Sequence, residues 1–178
     1  MKPNKRTMSE GRALDVLQDL RDDFRQSISE NYEFRAKSCS SCDTPGACCL
    51  DAHFVNVRIS RLEAVAIRRA LHRLDKTRGE RVYARIDNAI RRFGLDGSEA
   101  TRTYPCPLYD SGVGCLVHDT AKPLPCIQHA CYENKEDLPP DDLLEASELA
   151  IDALNRRVYG NQQTILPLPV AVRTADTI

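Results

Sequence analysis

The feature that most constrains this chain is a set of eight cysteines that falls into two clusters. The first cluster occupies residues 39–49 and the second occupies residues 106–131. Metal thiolates need short cysteine spacings, because two sulfurs must converge on one centre at about 2.3 Å in the case of zinc. Two such clusters predict a metal site, and the candidate ligands are Cys39, Cys42, Cys48, Cys49, Cys106, Cys115, Cys126 and Cys131.

The redox state of these cysteines depends on the cellular compartment. The chain begins with a charged stretch and has no run approaching the roughly 20 apolar residues that cross a bilayer. We therefore expect a cytoplasmic protein that makes no membrane contact. Cysteines in a reducing cytoplasm persist as thiols or thiolates. Eight of them in a chain of 178 residues indicate metal or redox chemistry.

The spacing does not determine how the cysteines are grouped or which metal they bind. Eight thiols suit two four-ligand centres, or one centre with several spare thiols. Neighbouring side chains of an extended segment point to opposite faces, so Cys48 and Cys49 are expected to serve two sites, or one site plus packing. Proline next to Cys106 and before Cys126 favours an iron–sulfur cluster slightly over Zn2+, because Cys-Pro recurs beside cluster ligands.

Helical periodicity predicts the rest of the fold. Apolar residues recur at helical spacing, and strictly alternating runs are short, so we predict a mostly α single domain of about four helices around two cysteine-rich loops. Helix boundaries are expected after Ser9, at a Ser60–Glu63 capping box and at Gly94. Prolines 167 and 169 predict an extended tail. The predicted segments are an amphipathic helix in 1–37, a cysteine-cluster metal-binding domain in 38–160 with a helical hairpin at 60–94 and an acidic helix at 141–160, and an extended apolar strap in 161–178.

Charge is unevenly distributed along a chain whose net charge is only −1. Residues 58–92 contain eleven Lys or Arg against four Asp or Glu, and residues 133–152 contain eight acidic residues against one Lys. The low net charge, the interleaved acidic residues and the scarcity of aromatic side chains do not favour nucleic-acid binding. The sequence also lacks the Gly-rich motifs that bind nucleotides, which argues against a nucleotide-dependent enzyme.

The cysteine pattern has four recognisable parts. Cys39-x2-Cys42 is followed by the Cys48–Cys49 pair, and then by the step Cys106-Pro107-Leu108. Cys115-Leu116-Val117-His118-Asp119 and Lys122-Pro123 then lead to Cys126. This pattern resembles the YkgJ-type cysteine-cluster family, a zinc- or iron-chelating domain. That family has Cys-x-Ile-Tyr-Glu-x-Arg-Pro-x-x-Cys-Arg in the last part, so this chain lacks its Tyr and final Arg and places Cys126 one residue later.

The resemblance implies metal chelation more directly than it implies a reaction. We hypothesise an accessory iron–sulfur or zinc protein that docks on a client metalloenzyme and assists its assembly, maintenance or protection. Some relatives accompany nitrogen-fixation genes, so nitrogenase is a client that the resemblance implies. One alternative is a redox or methyltransferase-like enzyme, since the family's domain also occurs in a flagellin lysine methylase. The other alternative is a structural zinc module that presents an interaction surface.

Overall fold

A computed structural model gives the fold of the chain and describes residues 8–37, 43–44, 46–50, 55–97, 102–160 and 164–175. Two of the predicted ligands, Cys39 and Cys42, lie outside these residues. Seven α-helices and six short strands occur in the described part. The helices are α1 (Glu10–Asn31), α2 (Ala47–Leu50), α3 (Arg61–Leu71), α4 (Lys76–Phe93), α5 (Leu124–Gln128), α6 (Asp141–Tyr159) and α7 (Leu168–Thr174). The strands are β1 (Ala36–Lys37), β2 (Arg58–Ile59), β3 (Tyr109–Asp110), β4 (Gly114–Cys115), β5 (Cys131–Tyr132) and β6 (Leu166–Pro167).

The chain divides into two compact units. The first unit comprises Met1–Pro45 and Lys122–Gln163, and the second comprises Gly46–Ala121 and Thr164–Ile178. Each unit is therefore assembled from two stretches that are distant in sequence. None of the helices within the described ranges has the length and apolar character needed to cross a membrane.

The first unit is built around the contact of α1 with α5 and α6. Ser9 caps α1, its Oγ accepting the Arg12 N–H at 3.4 Å, as its position before the periodic run predicts. The buried stripe of α1 includes Leu17 and Phe24. In the same unit, strands β1 and β5 pair antiparallel, with Ala36 opposite Tyr132 and Lys37 opposite Cys131. This pairing places Cys131 beside Lys37, which lies two positions before Cys39 in sequence.

The second unit has α7 as its central element, because α7 packs against both α3 and α4. The Ser60–Glu63 capping box forms as predicted and starts α3, and Gly94 ends α4 with φ 59° in the left-handed region. Strands β2 and β6 pair antiparallel just before α7, and the Leu168 N–H donates to the Val57 carbonyl at 2.9 Å. The tail is therefore an integral part of this unit's core.

Three features of the predicted fold need correction. Most of the described chain is helical, as expected, but it contains seven helices instead of about four. Within the described residues 164–175, the extended conformation predicted for the tail ends at Pro167, because Leu168–Thr174 is helical. Pro169 lies in the first turn of α7, where a missing N–H breaks no helical hydrogen bond, so it does not prevent the helix. The Cys48–Cys49 pair is also helical and not extended, because α2 is a single turn within the first cysteine segment.

Burial of the tail leads to a stability prediction. Leu168 is 2% exposed in the second unit, whereas Ile165, three residues earlier, is 39% exposed. Leu168→Ala is expected to lower the free energy of unfolding by about 2–5 kcal/mol, because it removes buried methyl groups and leaves a cavity. Ile165→Ala, the matched control, should change it by less than about 0.5 kcal/mol. Urea unfolding of the full chain measures both values, and similar values for the two variants would mean that the tail does not belong to the core.

Candidate metal centre

The predicted ligands are distributed between the two units. Four of them, Cys48, Cys49, Cys106 and Cys115, belong to the second unit, and we call this set the thiol cluster. Cys126 and Cys131 belong to the first unit. All six described cysteines are thiols. The prediction that all eight cysteines converge stays a prediction. It involves Cys39 and Cys42, which lie outside the described residues, and it also depends on the relative placement of the two units.

Helix α2 carries the first two thiols of the cluster, and Gly46 starts it. Gly46 has φ 84°, a conformation that side chains with a Cβ rarely adopt. Its carbonyl accepts the N–H groups of Cys49 and Leu50, both at 2.9 Å, which closes the turn. This helical turn places the side chains of Cys48 and Cys49 within hydrogen-bonding reach of each other.

Cys106 joins the cluster through the backbone. Its N–H donates to the Cys49 carbonyl at 2.7 Å, a direct link between segments separated by 56 residues of sequence. The chain before Cys106 is held by Tyr104, whose N–H donates to the Val55 carbonyl at 3.0 Å and whose hydroxyl donates to the Val57 carbonyl at 2.9 Å. The half-buried Cys106 also packs against a small core made of Val55, Ala89, Leu95 and Tyr104.

Cys115 is brought to the cluster by the β3–β4 hairpin. Tyr109 of β3 lies opposite Cys115 of β4, and the Leu116 N–H donates to the Leu108 carbonyl at 3.0 Å. A turn connects the hairpin to Cys106, since the Tyr109 N–H donates to the Cys106 carbonyl at 3.3 Å. Arg85 of α4 holds the same segment, with Nε donating to the Pro107 carbonyl at 2.9 Å.

Tyr109 also contacts the turn that carries the first two thiols. A Cβ at position 46 would overlap the Cζ and Oη atoms of the Tyr109 ring, so only glycine allows this approach. Tyr109 therefore touches three cysteine-bearing segments: it contacts Gly46, donates its N–H to the Cys106 carbonyl and pairs with Cys115. Sequence reasoning placed Gly46 in a ligand loop but missed Tyr109 and Arg85, because no local pattern marks either residue as a neighbour of the cysteines.

The electrostatics of Cys49 show that the four thiols are neighbours. Burial raises the pKa of the Cys49 thiol from 9.0 to about 12, and the like charges of Cys106, Cys48 and Cys115 contribute to the increase. A side-chain hydrogen bond with Cys48 acts in the same direction. Such charges act over a limited distance, so the three sulfurs that raise this pKa lie within range of electrostatic interaction with Cys49. Without a metal, the Cys49 thiol is protonated at neutral pH.

The donor set suits a thiophilic metal, although it does not form a closed coordination sphere. Four thiols from one unit match the S4 ligand sets of zinc and of iron–sulfur clusters. Within the described ranges, however, no group of three or more His, Cys, Asp or Glu side chains is arranged tightly enough to hold a metal ion. The pKa of Cys49 and the absence of a tight ligand group among the described residues are compatible, because charges interact over longer distances than the length of a metal–sulfur bond. Binding at this site would therefore require the sulfurs to move closer together.

The first unit presents two thiols near a histidine. Cys126 lies in α5, Cys131 is exposed in β5, and His129 is located between them in sequence. Burial lowers the pKa of the His129 imidazole, and the charge of Lys122 lowers it further. A neutral imidazole is the form that binds metals. Cys131 pairs with Lys37 of strand β1, whose end leads in sequence to Cys39.

Comparisons with known proteins give no match: no family model, no curated protein and no solved structure matches the chain. The resemblance to YkgJ-type proteins rests on the cysteine spacing alone.

The contact between Gly46 and Tyr109 can be tested with a matched pair of glycines. Gly112 has a φ of 81°, almost equal to that of Gly46, but a Cβ there would meet no atom within 4 Å. Both Gly→Ala substitutions incur the strain of a positive φ, of about 1 kcal/mol or more. Only Gly46→Ala also displaces Tyr109, so we expect it to lower stability more than Gly112→Ala in urea unfolding.

A double variant checks the cause of that difference. In a Tyr109→Ala background, the substitutions at 46 and 112 should cost similar amounts, because the ring that distinguishes them is gone. If Gly46→Ala still costs more in that background, the contact with Tyr109 is not the reason.

The raised pKa of Cys49 predicts a pH dependence of the metal-free protein. The unfolded chain releases this proton near pH 9.0, whereas the folded chain retains it up to about pH 12. The contribution of Cys49 to stability is therefore fully present below pH 9.0 and is lost as the pH rises towards 12. In urea unfolding of metal-free protein, Cys49→Ser should reduce the loss of stability over this range. Cys131→Ser, which removes an exposed thiol, should leave the loss unchanged.

Proposed function

We propose that this protein is an accessory metal-binding protein whose thiol cluster holds Zn2+ or an iron–sulfur cluster and which docks on a client metalloenzyme. The observation that carries the proposal is that one compact unit joins the segments of the four thiols, through the hydrogen bond from the Cys106 N–H to the Cys49 carbonyl at 2.7 Å and the β3–β4 hairpin that carries Cys115. Three sequence segments supply these four sulfurs, and a compact unit gathers them. Thiols that merely fill a core have no need to gather in this way, because buried cysteines are usually dispersed among apolar side chains.

Metal binding at this cluster would be coupled to proton release. Thiolates, and not thiols, are the ligands, so each coordinating cysteine must lose its proton. The raised pKa of Cys49 makes proton loss from this residue more costly than from an ordinary thiol. Affinity should therefore fall as the pH decreases. The bound metal would supply positive charge that stabilises the gathered thiolates.

The hydrogen bonds around the cluster define what the chain itself contributes. The bond from Cys106 N–H to the Cys49 carbonyl and the β3–β4 hairpin hold the backbone segments together. The side chains then have to bring their sulfurs closer together to reach a common metal. This arrangement suits a site that is organised by the fold and completed by the metal.

A structural zinc module is the second candidate, and the surroundings of Cys106 favour it. Cys106 packs against the core of Val55, Ala89, Leu95 and Tyr104, so metal bound there would stabilise the unit directly. The identity of the metal separates the two candidates. Iron with sulfide supports the accessory iron–sulfur function, whereas a colourless zinc protein that loses its fold without metal supports a structural module.

Exposed apolar side chains next to the cluster support docking on a client. Leu50 follows Cys49 directly and is 43% exposed, and Val113 precedes Cys115 by two residues and is 58% exposed. Exposed apolar residues beside a functional site are typical of interaction surfaces. From the resemblance to YkgJ-type proteins, we propose that the partner is a metalloenzyme, of which nitrogenase is one example.

Metal analysis of anaerobically purified protein tests the proposal. We expect zinc, or iron with sulfide and visible absorption, at a stoichiometry that Cys115→Ser lowers. Val113→Ser serves as the control, because it changes the same hairpin without removing a thiol, and should keep the metal. If Cys115→Ser retains the full metal content at the affinity of the unaltered protein, the thiol cluster is not the site. A wild-type protein that binds no metal in reducing buffer would refute the proposal altogether.

A further inference from the structure

One side of α4 carries a row of arginines beside the second cysteine segment. At 100° per residue, Arg78, Arg81, Arg85 and Arg92 fall within an arc of about 60° on this helix. We call this set the arginine face, and it extends along about 21 Å of helix. Arg81 and Arg92 are exposed, and Arg78 and Arg85 are half-buried.

The four acidic residues that interrupt the basic run in sequence do not neutralise this face. Glu63 is 6% exposed and accepts the Ser60 N–H at 2.9 Å within its own capping box. Asp75 caps α4, accepting the Arg78 N–H at 2.9 Å. The chain folds so that both carboxylates serve helix starts.

The other two acidic residues lie on a different side of α4. Helical geometry places Glu80 and Asp87 about 140° from the centre of the arginine face. Asp87 pairs with Arg173 of α7 at 2.8 Å, and Glu80 lies 3.9 Å from Lys76. The four arginines thus have no acidic residue of α4 on their side of the helix, which the charge count along the sequence does not show.

Arg85 connects the arginine face to the thiol cluster. Its Nε donates to the Pro107 carbonyl at 2.9 Å, and its Nη1 lies 3.9 Å from Asp110 of β3. This side of α4 therefore faces the segment that contains Cys106 and Cys115. The tip of the β3–β4 hairpin adds an exposed apolar side chain, Val113, to the same region.

We propose that the arginine face and the hairpin tip form a docking surface for an acidic protein segment, which presents carboxylates to Arg81 and Arg92 and an apolar residue to Val113. Charge complementarity carries the choice of partner, because guanidinium groups pair with carboxylates in bidentate fashion. This inference rests on the proposed function in one respect, which is that the acidic segment belongs to the metalloenzyme client.

A nucleic acid fits the surface less well than an acidic protein. The whole chain has a net charge of −1, so the dense charge of a duplex would be attracted by the arginine face and opposed by the rest of the molecule. The aromatic residues of α4 offer no free ring there, because Tyr83 lies outside the arc of the arginines and the Phe93 ring is covered by the Arg92 guanidinium, 5.5 Å from the ring centroid. An acidic segment of a protein carries charge over a limited area, which matches the extent of the arginine face on one helix.

The experiment compares two adjacent arginines of the same helix. Arg91 and Arg92 are both exposed and both lie in the last turn of α4, but Arg91 points about 100° away from Arg92 and outside the arginine face. The probe is fluorescein-labelled poly-L-glutamate, and the readout is fluorescence anisotropy with the full chain at low salt. Charge reversal affects the helix end equally in both variants, so they differ in the direction of the side chain and in the contact of Arg92 with the Phe93 ring.

We expect poly-L-glutamate to bind the unaltered chain and to dissociate as salt is added. Arg92→Glu should weaken binding several-fold, and Arg81→Glu with Arg92→Glu should weaken it by about tenfold or more. Arg91→Glu should change it less than about twofold. Equal weakening by Arg91→Glu and Arg92→Glu, absence of binding to the unaltered chain, or tighter binding of duplex DNA than of poly-L-glutamate would overturn the proposal.

Metal content, measured in each variant, separates this inference from the proposed function. The charge-reversed variants keep all eight cysteines and should retain the metal of the unaltered chain. A chain that binds no metal but loses poly-L-glutamate selectively with Arg92→Glu would refute the metal function and leave the docking surface intact.

Discussion

The hydrogen bond from the Cys106 N–H to the Cys49 carbonyl is the contact on which the thiol cluster depends. It joins two segments that have 56 residues between them. Forming it therefore requires the closure of a long loop and a loss of chain entropy. The intervening residues offset this loss by forming α3 and α4, on which α7 packs, and the core cluster that includes Tyr104. The proximity of the thiols is therefore a consequence of folding of the second unit, which a bound metal would reinforce.

The same unit combines two surfaces of different chemistry. Cys49 of the thiol cluster is uncharged at neutral pH in the absence of metal, because burial and the neighbouring thiols raise its pKa. The arginine face carries permanent positive charge on the adjacent side of α4, and Arg85 links the two through the Pro107 carbonyl. In our account, one surface holds the metal and the other guides an acidic client to it. Long-range attraction brings partners together quickly, and close contacts then determine how long they stay.

Sequence reasoning succeeded wherever structure depends on neighbours along the chain. The caps at Ser9, Ser60 and Gly94 were predictable, because each follows from one residue and the next turn of helix. The tail was mispredicted because proline was treated as a helix breaker, although Pro169 occupies the first turn, where it is tolerated. Approximate helix counting also missed the short helices α2 and α5 in the cysteine segments.

The candidate site was predictable in its residue types and not in its grouping. Spacing identifies cysteines that can share a metal locally, but only tertiary folding determines that the segments of Cys106 and Cys115 lie beside the Cys48–Cys49 turn. The contact of Tyr109 with Gly46 likewise joins two residues that no local pattern relates. The segregation of arginines on α4 depends on where their acidic neighbours pair, and this too appears only once the helices are packed.

X-ray absorption spectroscopy at the metal edge tests the central claim most directly, because it counts the atoms bound to the metal. The protein is loaded with one equivalent of zinc in a variant in which Cys39, Cys42, Cys126 and Cys131 are replaced by serine, so that only the thiol cluster supplies sulfur. Our account predicts a first shell of four sulfurs at about 2.3 Å from the zinc. A first shell dominated by nitrogen or oxygen, or zinc that remains free in solution, would contradict it.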